Sequence, residues 1–462
     1  MTQRRVSATI VTAVALVALG MTPAYANASS TVRGSGTPPS ISDYASEQNG
    51  HLSSIGIDQP MPEGTTLLPV GSFTDSTMLD LESSLAVTDL VNADADRRIN
   101  TVTWDRDTDL LHIYAFEPDK QFRQSVAEAL PAGQKWDIVA TVRPVAELED
   151  RIETIAQHPA LLPKGLSFVS GTPAADGGSL EIGVTGVPGA VADQLRRASR
   201  SVPSIDGVKV TFFEDVVPET TTRVRNVPPT VSGGYMQGPS SGGMMACSTG
   251  FPVLRYQDSQ YNMLNADHCT DQEGVTWKWG AGDHKVGKST FQAPGGTDLE
   301  LYVQPDSLST WVFVGDYTDA STVAPIRGYI APVGGNSVCY SGSRSGLVCS
   351  NVLESNDSFN CVAFLQCYWT RWSNQSSGVP AAGNGDSSGP VFVLGIRSSD
   401  NSIGAYGVGV ISMIPGDSLA RCTGDPGSSA SGGRKCSANV GFAPLSRWAS
   451  SQLTHNLVYT TS

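Results

Sequence analysis

Gly385-Asp386-Ser387-Ser388-Gly389-Pro390 is the stretch on which the reading turns. Small residues around an aspartate and a serine make a tight turn, and the glycines let backbone approach whatever binds there. Gly-Asp-Ser runs are common in loops, so the string acquires meaning from two upstream stretches. These are Ala266-Asp267-His268-Cys269 and Gly296-Thr297-Asp298-Leu299-Glu300-Leu301. Histidine, aspartate and serine, the residue types of a base, its orienting acid and a hydroxyl nucleophile, then follow one another along the chain.

The surroundings are those of an exported, multidomain chain. Arg4 and Arg5, the apolar run Val6 to Leu19 and the small-x-small site Ala24-Tyr25-Ala26 predict a signal peptide over residues 1–26 and a secreted, extracellular product. That run is too short for a spanning helix, so no membrane association is expected. The net charge of −14 excludes a basic footprint for nucleic acid. The acid is uneven: from Val231 onward there are 16 acidic against 12 basic residues, and most of the excess lies before that point. The eight cysteines all follow residue 240, which in a secreted chain reads as a disulfide framework confined to one domain. No CxxC pair, His-rich tract or HExxH stretch supports a metal site, and no cofactor is expected.

Residues 27–95 carry little pattern. Between 96 and 215 it sharpens into an α+β domain with a weak repeat of hairpin, helix and strand. Thr101 to Trp104 and Leu110 to Phe116 alternate as a hairpin, Phe122, Val126 and Leu130 have helical spacing, and Trp136 to Val142 is strand-like. A helix after Pro144 follows. Leu166 to Ser170 and Leu180 to Val184, a helix from Pro188 and a strand Val208 to Phe213 then repeat the order. Pro, Thr, Gly and Ser make 216–246 a linker, where a processing cut would fall. From 247 to 462 short apolar runs separated by Gly, Ser, Asn and Asp predict an all-β domain ending in a helix with Leu445, Trp448, Ala449 and Leu453 on one face.

Residues from about Val231 to Tyr459 resemble the secreted bacterial chymotrypsin-like serine proteases, the streptogrisin and α-lytic protease group. The resemblance is carried by Ala246-Cys247-Ser248-Thr249-Gly250-Phe251, the His268 and Ser387 motifs, Cys339-Tyr340-Ser341-Gly342 closed by Cys349, Gly409-Val410-Ile411-Ser412, and Phe442-Ala443-Pro444-Leu445. It implies a double β-barrel preceded by an α+β pro-domain that assists folding and inhibits until removed. It implies His268 as base, Asp298 as its orienting acid supported by Ser412, Ser387 as nucleophile, and the N–H groups of Gly385 and Ser387 as oxyanion hole. It further implies Cys247–Cys269 and Cys339–Cys349; Cys361–Cys367 and Cys422–Cys436 follow by proximity among four cysteines that allow three pairings. The favoured processing bond is Thr230–Val231.

This chain departs from the group at Asp267 and Ser388, where small residues are usual, and in lacking a half-cystine shortly before the serine. Ala381, Met413 and Ile414 fall at the substrate pocket, predicting small or medium apolar side chains before the cut bond. Tyr340 stands where the group has the arginine that pairs the aspartate before the nucleophile. Arg344 is the expected substitute partner for Asp386, with a freed Val231 amine as its rival. The resulting expectation is a monomeric secreted serine endopeptidase made as a zymogen, with protein or peptide as substrate. A catalytically inactive homologue that binds protein or cell-wall polymer outside the cell, and an esterase using the same chemistry, are the alternatives.

Overall fold

The computed structural model describes residues 54–460 except 58–60, 63–65, 68–78, 95, 187–190, 192–194, 196–203, 206, 215–228, 242, 256–257, 280–283, 291–295, 363–365, 398–401, 417–418, 423, 425–433 and 452–454. The expected signal peptide lies outside them, as do most of the helix expected from Pro188 and residues 216–228 of the expected linker.

Six strands close on themselves in the C-terminal half. Ser337–Gly342 pairs with Gly346–Val362, which pairs with Gln366–Gln375, then Asn439–Pro444, Ser402–Met413 and Pro390–Arg397, and the last returns to Ser337–Gly342. Every step is antiparallel, and closure removes the sheet edges that would otherwise seek partners. A second run of six antiparallel strands precedes it in sequence. Its order is Phe251–Arg255, Gln260–Asn265, Glu300–Val303, Lys285–Ser289, Thr276–Trp279 and Tyr235–Ser240. The architecture is the chymotrypsin-like double β-barrel that the resemblance implies. Each barrel has its own apolar filling. The first holds Phe251, Trp277, Trp279, Tyr302 and Trp448, the second Tyr340, Val391, Val408, Ile411 and Phe442, all essentially without exposure. One such ring removes roughly 150–250 Å² from water, several kcal/mol at about 25 cal/mol per Å², so these rings outweigh any single surface pair.

Two expectations are corrected here. The linker does not extend to residue 246: Thr230–Ser232, Tyr235–Ser240 and Gly243–Ser248 are strands, and Val231 is buried. The glycines there look like flexibility but serve close packing. A β-carbon at Gly238 would sit 2.5 Å from the Trp277 ring, so only glycine lets the strand lie on the indole. The closing helix, Leu445–Ser451, is likewise not the final element, since His455–Thr460 returns as a strand beside Phe251–Arg255.

Before the barrels lies the α+β region. Hairpin Ile99–Asp105 and Leu110–Phe116, helix Lys120–Ala129 and strand Lys135–Thr141 form one unit, its last strand parallel to the second. Hairpin Ser167–Pro173 and Ser179–Thr185 with the parallel strand Val208–Glu214 repeats that pairing. The weakly patterned stretch before residue 95 supplies helix Leu81–Ala93, capped by the Asp80 carboxylate. Its buried face mixes Ser83, Ser84 and Thr88 with Val87 and Leu90, which hides the stripe from a sequence reading.

This region is continuous with the second barrel. Gly171 and Ser170 pair with Phe359 and Asn360, so the Ser167 hairpin prolongs the barrel's sheet. Beside that seam Glu149, on helix Val145–Gln157, lies between Arg97 (2.8 Å) and Arg447 (2.6 Å), and Asp357 between Arg447 (2.5 Å) and Arg371 (2.6 Å). Burial pushes the Asp357 carboxyl up, but the two guanidinium groups outweigh it and hold it at about 2. Its stabilising contribution is therefore complete above the ordinary value of 3.8 and is lost as pH falls toward about 2. Calorimetry between pH 5 and pH 2 should show Asp357→Asn losing less of its Tm over that interval than the unchanged chain.

Candidate active site

Asp267–Cys269 is a single tight turn after strand Gln260–Asn265, anchored by the Cys247–Cys269 disulfide. It carries His268 to the boundary between the barrels. Asp298 stands just before strand Glu300–Val303 and is fully buried. Ser387 lies in the turn that precedes strand Pro390–Arg397. The fold thus brings residues from three separated stretches to one place.

The Asp298 carboxylate faces the imidazole, Oδ2 lying 2.5 Å from His268 Nδ1, while Oδ1 accepts the His268 backbone N–H at 2.9 Å. The Ser412 hydroxyl donates to Oδ2 at 2.5 Å. With Nδ1–H directed at Asp298, Nε2 is left to accept from the Ser387 hydroxyl, 2.8 Å away. Burial works against ionising Asp298, yet the facing imidazole and the bonds from His268 and Ser412 bring its pKa below the usual value. For His268 burial disfavours the cation, and the carboxylates of Asp298 and then Asp267 more than compensate, raising its pKa. The arrangement can take a proton from a hydroxyl, hold it as an imidazolium beside a carboxylate and return it to a leaving group.

The turn around Ser387 is held from both sides. Gly385 has φ 114°, a conformation natural only to glycine. The Asn384 carbonyl accepts from Arg434 Nε at 3.3 Å, so the N–H of Gly385, on the same planar peptide, points the opposite way. The Asp386 carbonyl accepts from the Gly389 N–H at 2.8 Å, which likewise turns the Ser387 N–H away from it.

Asp386 itself is fully buried and ringed by donors. Oδ1 accepts the backbone N–H groups of Arg344 (2.8 Å) and Ser345 (3.1 Å). Oδ2 accepts the Gly383 N–H (2.9 Å), the Ser345 hydroxyl (2.6 Å) and the Arg434 guanidinium (3.0 Å). The expectation that Arg344 supplies the cation is corrected: the 339–349 loop wraps Asp386 with main chain, and Arg344 contributes its N–H. The charge comes from Arg434, two residues before the Cys436 that Cys422 pins. Tyr340 is buried in the second core with its hydroxyl bonded to Ser373, and Val231 is interior to a strand. The only sequence signal for Arg434 was a basic pair beside a half-cystine in a Gly-Ser loop.

The other predicted positions are as follows. Ala381 and Ile414 are buried together in the second core, and Met413 packs with Tyr368 and Trp372. The cysteines form Cys247–Cys269, Cys339–Cys349, Cys361–Cys367 and Cys422–Cys436. Among the described residues no group of three or more His, Cys, Asp or Glu side chains is arranged to hold a metal.

No family model matches this sequence, and no curated protein matches it. Solved structures do align. A protease of Nocardiopsis (NAPase) is 18% identical, with 50% of this chain and 98% of that one covered, at a TM-score of 0.34. Thermobifida fusca protease A is 20% identical over 50% and 98%, at 0.33. An α-lytic protease homologue, N4, is 19% identical over 49% and 94%, at 0.28. Similarity at this level carries no functional conclusion; the closed six-strand ring is seen in the strand pairing itself.

Proposed function

We propose that this protein is a secreted serine endopeptidase made as a zymogen. The observation that carries the reading is the continuous chain Ser387 Oγ, His268 Nε2, His268 Nδ1, Asp298 Oδ2, with each link within hydrogen-bond distance. An amide is a poor electrophile and a serine hydroxyl a weak nucleophile at neutral pH. His268 takes the Ser387 proton as oxygen attacks the carbonyl carbon, and a tetrahedral oxyanion forms facing the N–H groups of Gly385 and Ser387. Each such donor is worth on the order of 3 kcal/mol in the transition state. The imidazolium, stabilised by Asp298, then protonates the departing amine. Water repeats the sequence on the acyl-enzyme, with His268 first as base and then as acid.

The α+β region is proposed as the pro-domain, folding aid and inhibitor, removed by a cut within 215–231. Its seam with the second barrel supports that assignment, as does the Pro- and Thr-rich sequence that separates it from strand Thr230–Ser232. The substrate pocket is proposed around Ala381, Met413 and Ile414; none carries a charge, which favours small or medium apolar side chains before the cut bond.

The test is to secrete the full chain, treat the product with a fluorophosphonate and assay casein and a simple ester. Labelling at Ser387, absent in Ser387→Ala, with casein cleavage is the expected result. Ester hydrolysis without proteolysis would replace peptidase by esterase, and an unlabelled, inert product would leave a binding protein. A secreted active form that still contained Trp136 would overturn the zymogen assignment.

A further inference from the structure

Asp267 and Ser388, the two residues that depart from the small side chains usual beside the histidine and the serine, both bond across the boundary between the barrels. Ser388 is fully buried and has φ 68°, a conformation that residues with a β-carbon avoid. Its hydroxyl accepts the backbone N–H of Ala266 at 2.7 Å and lies 3.3 Å from Cys269 Sγ. Its own N–H is fixed on the Ile411 carbonyl at 2.8 Å. At the next residue, Asp267 Oδ2 accepts from the Tyr368 hydroxyl at 2.8 Å. Tyr368 is 4% exposed and sits on strand Gln366–Gln375 of the second barrel. The His268 turn, built by the first barrel, is therefore gripped by the second at both residues that precede the histidine.

We propose that Ser388 and the Asp267–Tyr368 pair are positioning residues that clamp the His268 turn to the second barrel, fixing the distance from imidazole to Ser387. The inference rests on the proposed role of His268 and Ser387. Base and nucleophile belong to different barrels, so their separation is set by how the barrels register on each other. A displacement of about 1 Å at such a site costs on the order of a hundredfold in rate. A glycine at 388 would relax the backbone but supply no acceptor for Ala266. The strained φ is retained with a side chain that uses it.

The same clamp places a second carboxylate beside the imidazole. The groups facing Asp267 are Tyr368, His268 and Asp298, with Glu300 and Tyr302 in the same buried neighbourhood. Burial, then Asp298, pushes the Asp267 carboxyl up to about 6, against the opposing pull of Tyr368 and His268. The Asp267 carboxylate in turn favours the His268 cation, adding to the larger effect of Asp298.

The experiment compares Tyr368→Phe, Ser388→Gly and Asp267→Asn with the unchanged secreted enzyme, with rates expressed per Ser387 labelled by fluorophosphonate so that misfolded material does not count. Tyr368→Phe and Ser388→Gly should each lower kcat roughly tenfold, with KM little changed. Ser388→Gly should do so with little change in Tm, because relief of the positive φ offsets the loss of the Ala266 bond. Asp267→Asn keeps an acceptor for Tyr368 and removes the charge, so the acid limb of kcat/KM should move to lower pH. Unaltered kcat in Tyr368→Phe and Ser388→Gly overturns the clamp while the protease reading stands, and an unmoved acid limb in Asp267→Asn overturns the charge effect given to Asp267 on His268. An unchanged chain that is neither labelled nor active overturns the reading itself, and the clamp with it.

Discussion

Asp298→Asn should lower kcat/KM by about ten-thousand-fold at neutral pH while leaving the secreted protein folded. The amide keeps its oxygen on the His268 backbone N–H and nearly the same volume, and the Ser412 hydroxyl can turn to accept from the NH₂, so packing has little reason to change. What changes is the imidazole. Asp298 Oδ2 now selects the tautomer with Nδ1–H, 2.5 Å away, and opposes the positive charge that His268 acquires. An amide that turns its NH₂ toward Nδ1 forces the other tautomer, and Nε2 then presents a hydrogen to Ser387 instead of a lone pair. The loss should shrink as pH rises and hydroxide takes over the proton transfer. Stopped assays with a reactive ester from pH 7 to 10 measure it, and a loss under tenfold at pH 7 would contradict the role given to Asp298.

The second large effect is expected at Arg434. Arg434→Ala leaves the buried Asp386 carboxylate with four neutral donors and no cation. Removing one partner of a buried pair costs about 3–5 kcal/mol. It also removes the Arg434 Nε bond to the Asn384 carbonyl, which keeps the Gly385 N–H facing the other way. A loss of at least roughly a hundredfold in kcat should accompany the loss of stability, since one oxyanion donor is worth that much. Arg344→Ala removes a side chain whose residue serves Asp386 only through its main chain, and should stay within about 1 kcal/mol. Denaturant unfolding and kcat on both variants decide the matter; equal losses would return the cation's role to Arg344.

What was legible in the sequence was local. The turn Gly385–Pro390 and the Ala266–Cys269 motif announce their chemistry within six residues, and the alternating runs that announce all-β structure are as short. The hairpins at Thr101 and Leu166 declare themselves by period-two alternation between turn residues. What was not legible depended on distance. Arg434 meets Asp386 across 48 positions, and nothing in Gly-Gly-Arg-Lys-Cys says which carboxylate it will reach. Gly238 reads as linker until Trp277 is placed against it. Helix Leu81–Ala93 buries Ser83 and Thr88 beside its valine and leucine, because Gln134 and the Ala331 N–H meet their hydroxyls there. Strand His455–Thr460 has its partner in Phe251–Arg255, some two hundred residues earlier.

Tyr368 and Trp369 are consecutive on one strand, and their side chains leave it on opposite faces. Tyr368 reaches the histidine turn through Asp267. The Trp369 indole donates to Glu153 at 2.9 Å, lies under the Arg447 guanidinium and packs with the apolar cluster of the α+β region. On the proposed processing, Tyr368 keeps its contacts, whereas Trp369 keeps Arg447 and loses Glu153 and the apolar cluster when the α+β region leaves. On that proposal the two positions serve the molecule at different times: much of what 369 touches matters during assembly, what 368 touches for as long as the finished molecule works. A single strand so records two histories side by side, and a substitution harmless to one stage can be ruinous to the other.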